Sequence, residues 1–381
     1  MKSHALHVAA LTLGALNSTA AQQSIPLTAD HWTATDSLRF VTYLGRPSLY
    51  INRGVALAKD AALRDGVIEY DMATPRGGNF MGVVFHATTP ENAEVVYFRP
   101  ASSGRPDAAQ YAPALNSVAA AWQVYHGDGA NAPVPLTFEQ WYHVRIDIAG
   151  VTARIFVGDT TSPAMIVPRL AGVAGSSLGV WTGYFGRGAY YSNIRYTPRA
   201  AAPPSPAPPL SRGTIADWDL SEALDASSLT PGTLPDLAKL HWDRVHVEEA
   251  GFVLVNRYRR PPNTSIPVDP ATGGPMVDSV MGGRVAGSKV VFARSVIEAD
   301  RDAMRRLWFG YSDGATIYLN GRPLFMGMNP SGLRCCELTM SAFDVIGSAI
   351  YIPLKKGRNE LVFAVTEFTG GWAFWARLDP R

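Results

Sequence analysis

Short segments in which apolar and polar residues alternate recur along this chain, and turn-forming residues separate them. Residues 66–72 place Ile68, Tyr70 and Met72 on one side and Glu69 and Asp71 on the other. Residues 141–148 repeat the pattern. A period of two is typical of strands with one buried face, and many short strands between turns predict sandwiches or barrels.

Composition supports an all-β fold, because 35 glycines and 28 prolines leave few helix-forming runs. We predict two β-sandwich domains of the jelly-roll type. Beyond the two segments above, strands are expected at 80–86, 94–99, 121–126, 153–157, 178–182 and 190–196.

A proline- and alanine-rich stretch at residues 197–212 divides the chain. Proline cannot donate to a sheet ladder and favours extended polyproline geometry, so the stretch predicts a semi-rigid linker. The expected domains are therefore residues 22–196 and residues 213–381.

The first residues have the composition of a secretory signal peptide. Lys2 precedes an apolar run at 5–16, and small residues follow at 18–21. We expect residues 1–21 to be removed and the mature chain to be secreted or periplasmic. The alternative is a buried first element of the fold. No segment is long and apolar enough to span a bilayer.

The charge distribution and the two cysteines limit the expected binding partners and disulfide bonds. Lysine and arginine total 34 against 32 acidic residues and are scattered, so nucleic acid is not an expected partner. Cys335 and Cys336 are adjacent, which leaves open a strained vicinal bridge or a buried reduced pair. The oligomeric state stays open.

Six segments of the first domain follow one another in a recognisable order: LYI (49–51), GVA (54–56), DGVIEYD (65–71), FMGVVF (80–85), WYHVRI (141–146) and LGVW (178–181). This order resembles the concanavalin A-like lectin/glucanase superfamily, especially its laminin-G-like and 3-keto-disaccharide-hydrolase-like secreted members. The resemblance covers nearly all of that domain and implies a lectin-like sandwich and a carbohydrate ligand.

Three segments characterise the second domain: FGYSDGATIYLNG (309–321), LKKGRNEL (354–361) and GGWAF (370–374). With these segments the domain resembles the galactose-binding-like jelly roll that is often appended to secreted glycosidases, mainly over residues 285–379. Asn320-Gly321 is also a hairpin signal, since both residues tolerate positive φ. We expect Trp372 and Phe374 to lie in the core.

Weak catalytic candidates come from paired carboxyls and histidines. Glu69 and Asp71 share one strand face, and glycosidases use two carboxyl groups. The glucanases of the resembled superfamily carry a Glu-x-Asp-x-x-Glu pattern, but Thr74 occupies the last position here. His86 and His126 are further acid/base candidates. Alternatively, the two acids belong to a solvated outer sheet face.

A polar and aromatic cluster between residues 97 and 128 is the predicted ligand site. Planar polar groups and aromatic rings are what sugars bind to, and a long loop lies within this stretch. The alternative is that Arg99 and Asp107 pair to hold the loop and the tyrosines fill the core. The predicted cleft residues are Tyr97, Arg99, Asp107, Gln110, Tyr111, Gln123 and Tyr125.

No cofactor is expected, although calcium could be held by Asp107, Asp128 and Asn131. Three functions remain open. The leading one is a secreted protein that binds or recognises an oligo- or polysaccharide. A glycoside hydrolase or keto-disaccharide-processing enzyme is the second, and a structural or adhesion module without a small-molecule site is the third.

Overall fold

The computed structural model describes residues 21–78, 80–118, 120–159, 161–183, 186–230, 232–248, 250–262, 287–328 and 348–380. Within these ranges the chain forms strands, turns and short 3-10 turns, with no α-helix, which confirms the all-β class. No helix in these ranges could cross a membrane. The predicted signal peptide (all but Ala21), Cys335 and Cys336 lie outside the described residues.

The first sandwich consists of two antiparallel sheets. Sheet 1 and sheet 2 are built from β1 (Gln23–Ser24), β2 (Trp32–Ala34), β3 (Leu38–Tyr43), β4 (Arg46–Ile51), β5 (Gly54–Ala62), β6 (Gly66–Ala73), β7 (Met81–Thr89), β8 (Asn92–Phe98), β9 (Ala109–Tyr111), β10 (Asn131–Ala132), β11 (Tyr142–Ala149), β12 (Thr152–Val157), β13 (Met165–Val167), β14 (Ser177–Thr182) and β15 (Ala189–Pro198).

Sheet 1 has the order β13-β12-β11-β6-β15-β4-β3, with β1 pairing β15, and sheet 2 has the order β10-β9-β8-β7-β14-β5-β2. Short 3-10 turns lie at Ala29–His31 and Pro100–Ser102. The core lies between the sheets, and the alternation in β6 is confirmed: Ile68, Tyr70 and Met72 are fully buried.

Sheet 2 is covered on its outer face as well. Val84, Val95 and Tyr97 point away from the main core and pack against Trp181 and small residues of segment 112–120. The prediction of a strand at 121–126 is wrong, because these residues form turns, with Val124 N donating to Ala121 O at 3.2 Å. The segment covers the outer face of sheet 2 instead of extending it.

The second sandwich also has two antiparallel sheets, sheet 3 and sheet 4. Its 3-10 turns lie at Ala226–Ser228, Leu237–Lys239 and Val255–Arg257. Its strands are β16 (Asp217–Ser221), β17 (Leu224–Asp225), β18 (Trp242–His246), β19 (Val253–Leu254), β20 (Lys289–Ala299), β21 (Ala303–Ser312), β22 (Gly314–Leu319), β23 (Arg322–Met328), β24 (Ser348–Leu354), β25 (Gly357–Glu367) and β26 (Ala373–Leu378).

Sheet 3 has the order β18-β16-β20-β25-β22-β23, with β17 pairing β20, and sheet 4 has the order β19-β26-β21-β24. The predicted hairpin is present: Asn320 and Gly321, with φ of 50° and 79°, join β22 to β23. Trp372 and Phe374 are buried in the core, as predicted.

The proline-rich stretch has no strand or helix between residues 199 and 211, and β15 extends two residues beyond its predicted end. The stretch begins against the first sandwich, where Ala202 N donates to Asp65 Oδ2 at 2.6 Å. The chain enters and leaves the second sandwich at one place, because Leu378 N donates to Gly213 O at 3.0 Å. The predicted domain boundaries stay a prediction.

The two sandwiches contact each other directly. Leu115, Val124 and Val173 of the first pack against Leu254 and Ala373 of the second. These apolar contacts form the centre of the junction.

Hydrogen bonds reinforce the junction. Asn116 Nδ2 donates to Asn256 O at 2.7 Å, and Gln123 N donates to Gly370 O at 2.8 Å. A Cβ on Gly370, whose φ is +97°, would lie 2.7 Å from Gln123 Cδ, so only glycine fits there.

Candidate functional site

The outer face of sheet 1 carries the polar side chains of β6, β11 and β15. Glu69 and Asp71 of β6 point to this face because the alternate residues of the strand fill the core. In register, His143 of β11 lies opposite Asp71, and Arg195 of β15 lies opposite Glu69. Strand pairing therefore collects acids, a histidine and arginines in one place.

Asp71 is buried and accepts three hydrogen bonds on this face. Arg46 Nη1 and Asn193 Nδ2 donate to its Oδ2 at 2.5 and 2.6 Å, and His143 Nδ1 lies 2.8 Å from its Oδ1. Asn193 has φ of 50° at an irregularity of β15, which turns its side chain toward Asp71.

Glu69 is held by Arg195, whose Nε and Nη2 donate to its two carboxylate oxygens at 3.3 and 3.2 Å. Gln22 Nε2 donates to it at 2.7 Å, and His143 Nε2 lies 3.5 Å from Oε1. Burial works to raise the pKa of Glu69, but the bonds and charges of Arg195 and His143 outweigh it and lower that pKa. Glu69 is therefore ionised at neutral pH.

His143 lies between the two carboxylates, with one ring nitrogen directed at each. We call Glu69, Asp71, His143, Arg46 and Arg195 the charged cluster. Its members neutralise one another, which fixes their side chains on the sheet face.

Four aromatic rings lie beside the charged cluster, and we call Tyr43, Tyr50, Trp141 and Tyr190 the aromatic patch. Tyr43 and Tyr190 stack, with ring centroids 3.7 Å apart and planes 4° apart. Tyr50 lies 4.7 Å from Tyr190, and Trp141 meets Tyr43 edge-on at 6.1 Å. The Arg46 guanidinium is 5.3 Å from the Trp141 ring, which joins patch and cluster.

Part of the predicted cleft is instead a buried network. Tyr97, Gln110 and Tyr111 are almost fully buried. The Tyr97 hydroxyl donates to Gln110 Oε1 at 2.6 Å, and Gln110 Nε2 donates to the carbonyls of Trp122 and Tyr125 at 2.8 and 2.7 Å.

Buried Glu94, which sequence reasoning did not single out, accepts the Tyr111 hydroxyl at 2.6 Å. Burial raises the pKa of Tyr97 and Tyr111 well above the ordinary value. These tyrosines act as neutral donors inside the protein.

The other predicted cleft residues do not converge either. Arg99 pairs with Asp107 within the loop, as the alternative reading expected. Gln123 is buried against the second sandwich, where Ser312 Oγ donates to its Oε1 at 3.0 Å. Tyr125 lines a cavity of about 190 Å³ between the sandwiches, together with Phe252.

The histidine and calcium candidates lie apart from the charged cluster. His86 is buried, and its Nε2 lies 2.6 Å from Arg64 O, while burial lowers its pKa. His126, the last residue of segment 121–126, lies half-buried.

For calcium, Asp107 is taken by Arg99, and Asn131 Oδ1 accepts from Gly127 N at 2.8 Å. Asp128 is exposed. No group of three or more His, Cys, Asp or Glu side chains in the described ranges is arranged to hold a metal ion.

Comparisons with known proteins found similarity only among solved structures. No protein-family model matches, and no curated protein matches. Among solved structures, carbohydrate binding module CBM66 from Bacillus subtilis has 15% identity over 43% of this chain and 94% of its own, with a TM-score of 0.33.

Two further solved structures show similarly low sequence identity. A Bacillus licheniformis β-glucanase has 10% identity over 48% of this chain and 99% of its own, with a TM-score of 0.29. The exoplasmic/lumenal domain of VIP36, bound to Ca²⁺ and Man3GlcNAc, has 8% identity over 49% and 90%, with a TM-score of 0.33. The fold described above rests on the sheets themselves.

Proposed function

We propose that the outer face of sheet 1 binds carbohydrate, and that this chain is a carbohydrate-recognition protein acting outside the cytoplasm. The aromatic patch beside the charged cluster is the observation that carries the proposal. Aromatic rings contact the apolar faces of sugar rings, and fixed planar polar groups bond adjacent hydroxyls. The proposal that the protein acts outside the cytoplasm rests on the predicted signal peptide.

The outer faces of the two sheets differ in how far they are covered by other residues. This difference favours the outer face of sheet 1 over the predicted cleft as the binding surface. The outer face of sheet 2 lies under segment 112–120, which packs against Trp181 of β14, and its polar residues Tyr97 and Gln110 bond to each other. On sheet 1, Tyr43, Trp141, Tyr190 and Arg46 are each part-exposed. A ligand can therefore reach these side chains of sheet 1 without displacing any of the described residues.

Glycoside hydrolysis receives less support from the same residues. A two-carboxyl mechanism keeps one carboxyl protonated as the acid. Arg195 and His143 instead keep Glu69 ionised, and the described carboxyls with a raised pKa, Asp313 and Glu367, are buried in the second sandwich.

Binding of the mature chain, residues 22–381, to a glycan array tests the proposal, followed by titration of the best ligand. Tyr190→Ala and Trp141→Ala should each weaken binding about tenfold, which corresponds to about 1.4 kcal/mol. Tyr351→Ala is the matched control, since Tyr351 is 65% exposed on the second sandwich.

Unchanged affinity in both variants would exclude this face as the binding surface. An array without any bound glycan would instead support the structural or adhesion class. Arg99→Ala should lower stability and leave glycan affinity unchanged, because Arg99 holds a loop through Asp107.

A further inference from the structure

Two carboxyl groups are fully buried at the end of the second sandwich that faces the first. Asp313 lies between β21 and β22, and Glu367 is the last residue of β25. A buried carboxylate without a compensating partner is strongly unfavourable, so such a pair requires a physical explanation.

The backbone holds the two carboxyls next to each other. Asp313 N donates to Thr366 O at 2.8 Å, and Asp313 Oδ2 accepts from the amides of Phe368 and Thr369 at 2.9 and 3.3 Å. Asp313 therefore bonds to the residues on both sides of Glu367. When both carboxyls are ionised, the negative charges of Asp313 and Glu367 repel each other strongly, because both groups are buried.

The two oxygens of Glu367 differ. Oε1 accepts from Gly371 N at 2.9 Å, whereas Oε2 has no hydrogen-bond partner among the described residues. A protonated carboxyl has an O–H donor, and an ionised one has acceptors only. A proton on Oε2 would turn this orphaned acceptor into a donor.

The pair directly supports the junction between the sandwiches. Ser312, which precedes Asp313, donates its hydroxyl to Gln123 Oε1 at 3.0 Å, and the Gln123 side chain also bonds to Asp313. Gln123 N donates to Gly370 O in the loop that follows Glu367. One residue of the first sandwich thus contacts both segments that carry the carboxyls.

We propose that Asp313 and Glu367 share a proton that holds the two sandwiches together, so that their contact weakens as the solution becomes alkaline. Loss of the proton places two negative charges beside Gln123 and Gly370, where water is excluded. Repulsion then separates the segments that the first sandwich contacts. This inference is independent of the carbohydrate proposal.

The net effect of the surroundings is to raise the pKa of both carboxyls. Burial raises the pKa of Asp313 to about 7, although the amides of Phe368 and Thr369 and the bond from Gln123 act to lower it. Burial and the charge of Asp313 raise the pKa of Glu367 well above the ordinary value. Lys289 is opposite Glu367 in register, but its Nζ lies 3.8 Å from Asp225.

The sign follows from proton linkage. A carboxyl whose pKa is raised by folding stabilises the folded form fully below its unfolded pKa, and loses that contribution as pH rises through the folded pKa. For Asp313 the window runs from its ordinary value of 3.8 to about 7, and for Glu367 it extends upward from its ordinary value of 4.5.

Hydrogen exchange of the full mature chain between pH 5 and pH 9 tests the inference, with rates corrected for intrinsic exchange. In the unmodified chain, protection of peptides covering residues 120–125 and 368–373 should fall at least about tenfold as pH rises. Glu367→Gln keeps the shape and removes the second negative charge, so its protection should fall much less steeply than that of the unmodified chain as pH rises. Glu360→Gln, on the outer face of the same strand, is the matched control and should behave as the unmodified chain.

Protection that is constant with pH in the unmodified chain would overturn the proposal, and so would an equally steep fall in Glu367→Gln. If Glu367→Gln does not fold, Gln123→Leu serves as the second variant. It should lower protection of 368–373 already at pH 5, and unchanged protection there would also contradict the proposal.

Discussion

At the residue scale, Gln110 shows how one polar side chain organises a buried region. Its amide accepts from the Tyr97 hydroxyl and donates to the carbonyls of Trp122 and Tyr125. These bonds connect β8 and β9 to the turns that cover sheet 2. The residue therefore contributes to stability through three partners, each of which would be left without a bond if the amide were removed.

Gln110→Leu should lower the free energy of unfolding by about 3 kcal/mol, because two buried carbonyls and a hydroxyl lose their partner. Urea denaturation at neutral pH measures the change. Gln140→Leu is the control, since Gln140 is exposed and should cost less than about 0.5 kcal/mol. Equal losses in the two variants would contradict a buried network.

The ionisation of Glu69 makes the free energy of unfolding depend on pH in the acidic range. Its pKa is lowered in the folded protein from an ordinary value of 4.5, so its contribution is present above that value and is lost as pH falls through the folded pKa. Glu69→Gln should be less stable than the unmodified chain at pH 7, and the difference should shrink below about pH 4.5.

Unfolding free energies between pH 3 and pH 7 measure this difference. Glu139→Gln is the control, because Glu139 is exposed and pairs with exposed Arg76. A difference between Glu69→Gln and the unmodified chain that stays constant across this range would contradict the ion pairing.

The sequence could identify only part of the site. Alternation places Glu69 and Asp71 on a polar strand face, yet it does not show that β6 and β11 are neighbours. The aromatic patch was missed because Tyr43, Tyr50 and Tyr190 come from three separate segments. Tyr97 and Gln110 have the residue types of a ligand site, and only their cover in the folded chain shows that they are internal.

At the element scale, β6 is the clearest case of local sequence specifying its structure. It lies between β11 and β15 in the middle of sheet 1, and its inner residues are fully buried. Strict alternation was sufficient to assign the strand and its faces. Segment 121–126 shows where this reasoning fails. The segment contacts protein on more than one side, and its alternating residues lie in turns instead of a strand.

Ile68→Ala in β6 should cost about 2–5 kcal/mol, because it leaves a cavity between the two sheets. Val67→Ala changes the adjacent residue on the outer face of the same strand and should cost less than about 1 kcal/mol. Thermal unfolding of both variants tests the assignment of faces. A larger loss for Val67→Ala would reverse it.

At the scale of the whole molecule, the junction makes the two sandwiches dependent on each other. The proline-rich stretch suggested separate domains, and proline geometry does account for the absence of strands at 199–211. Hydrogen bonds between the sandwiches come from loops without periodicity, such as those around Asn116 and Gly370, and Leu254 of the two-residue strand β19 adds an apolar contact. Sequence patterns carry no signal for such contacts.

Val124→Asp should uncouple the sandwiches, because a charge would enter the apolar part of the junction. Calorimetry should show one unfolding transition for the unmodified chain and two for the variant. Val296→Asp, at a position 44% exposed on β20, should keep a single transition. One transition at an unchanged temperature in Val124→Asp would show that the contact carries little energy.

The shared entry and exit of the second sandwich determines how it responds to a pulling force. Gly213 and Leu378 are bonded neighbours, and Ile215 N donates to Ala376 O at 2.9 Å behind them. Tension between residues 213 and 378 would load these bonds one after another, as in a zipper, instead of shearing whole strands at once. The second sandwich would begin to open at this point under low force, while strands β20 and β25 would carry no load.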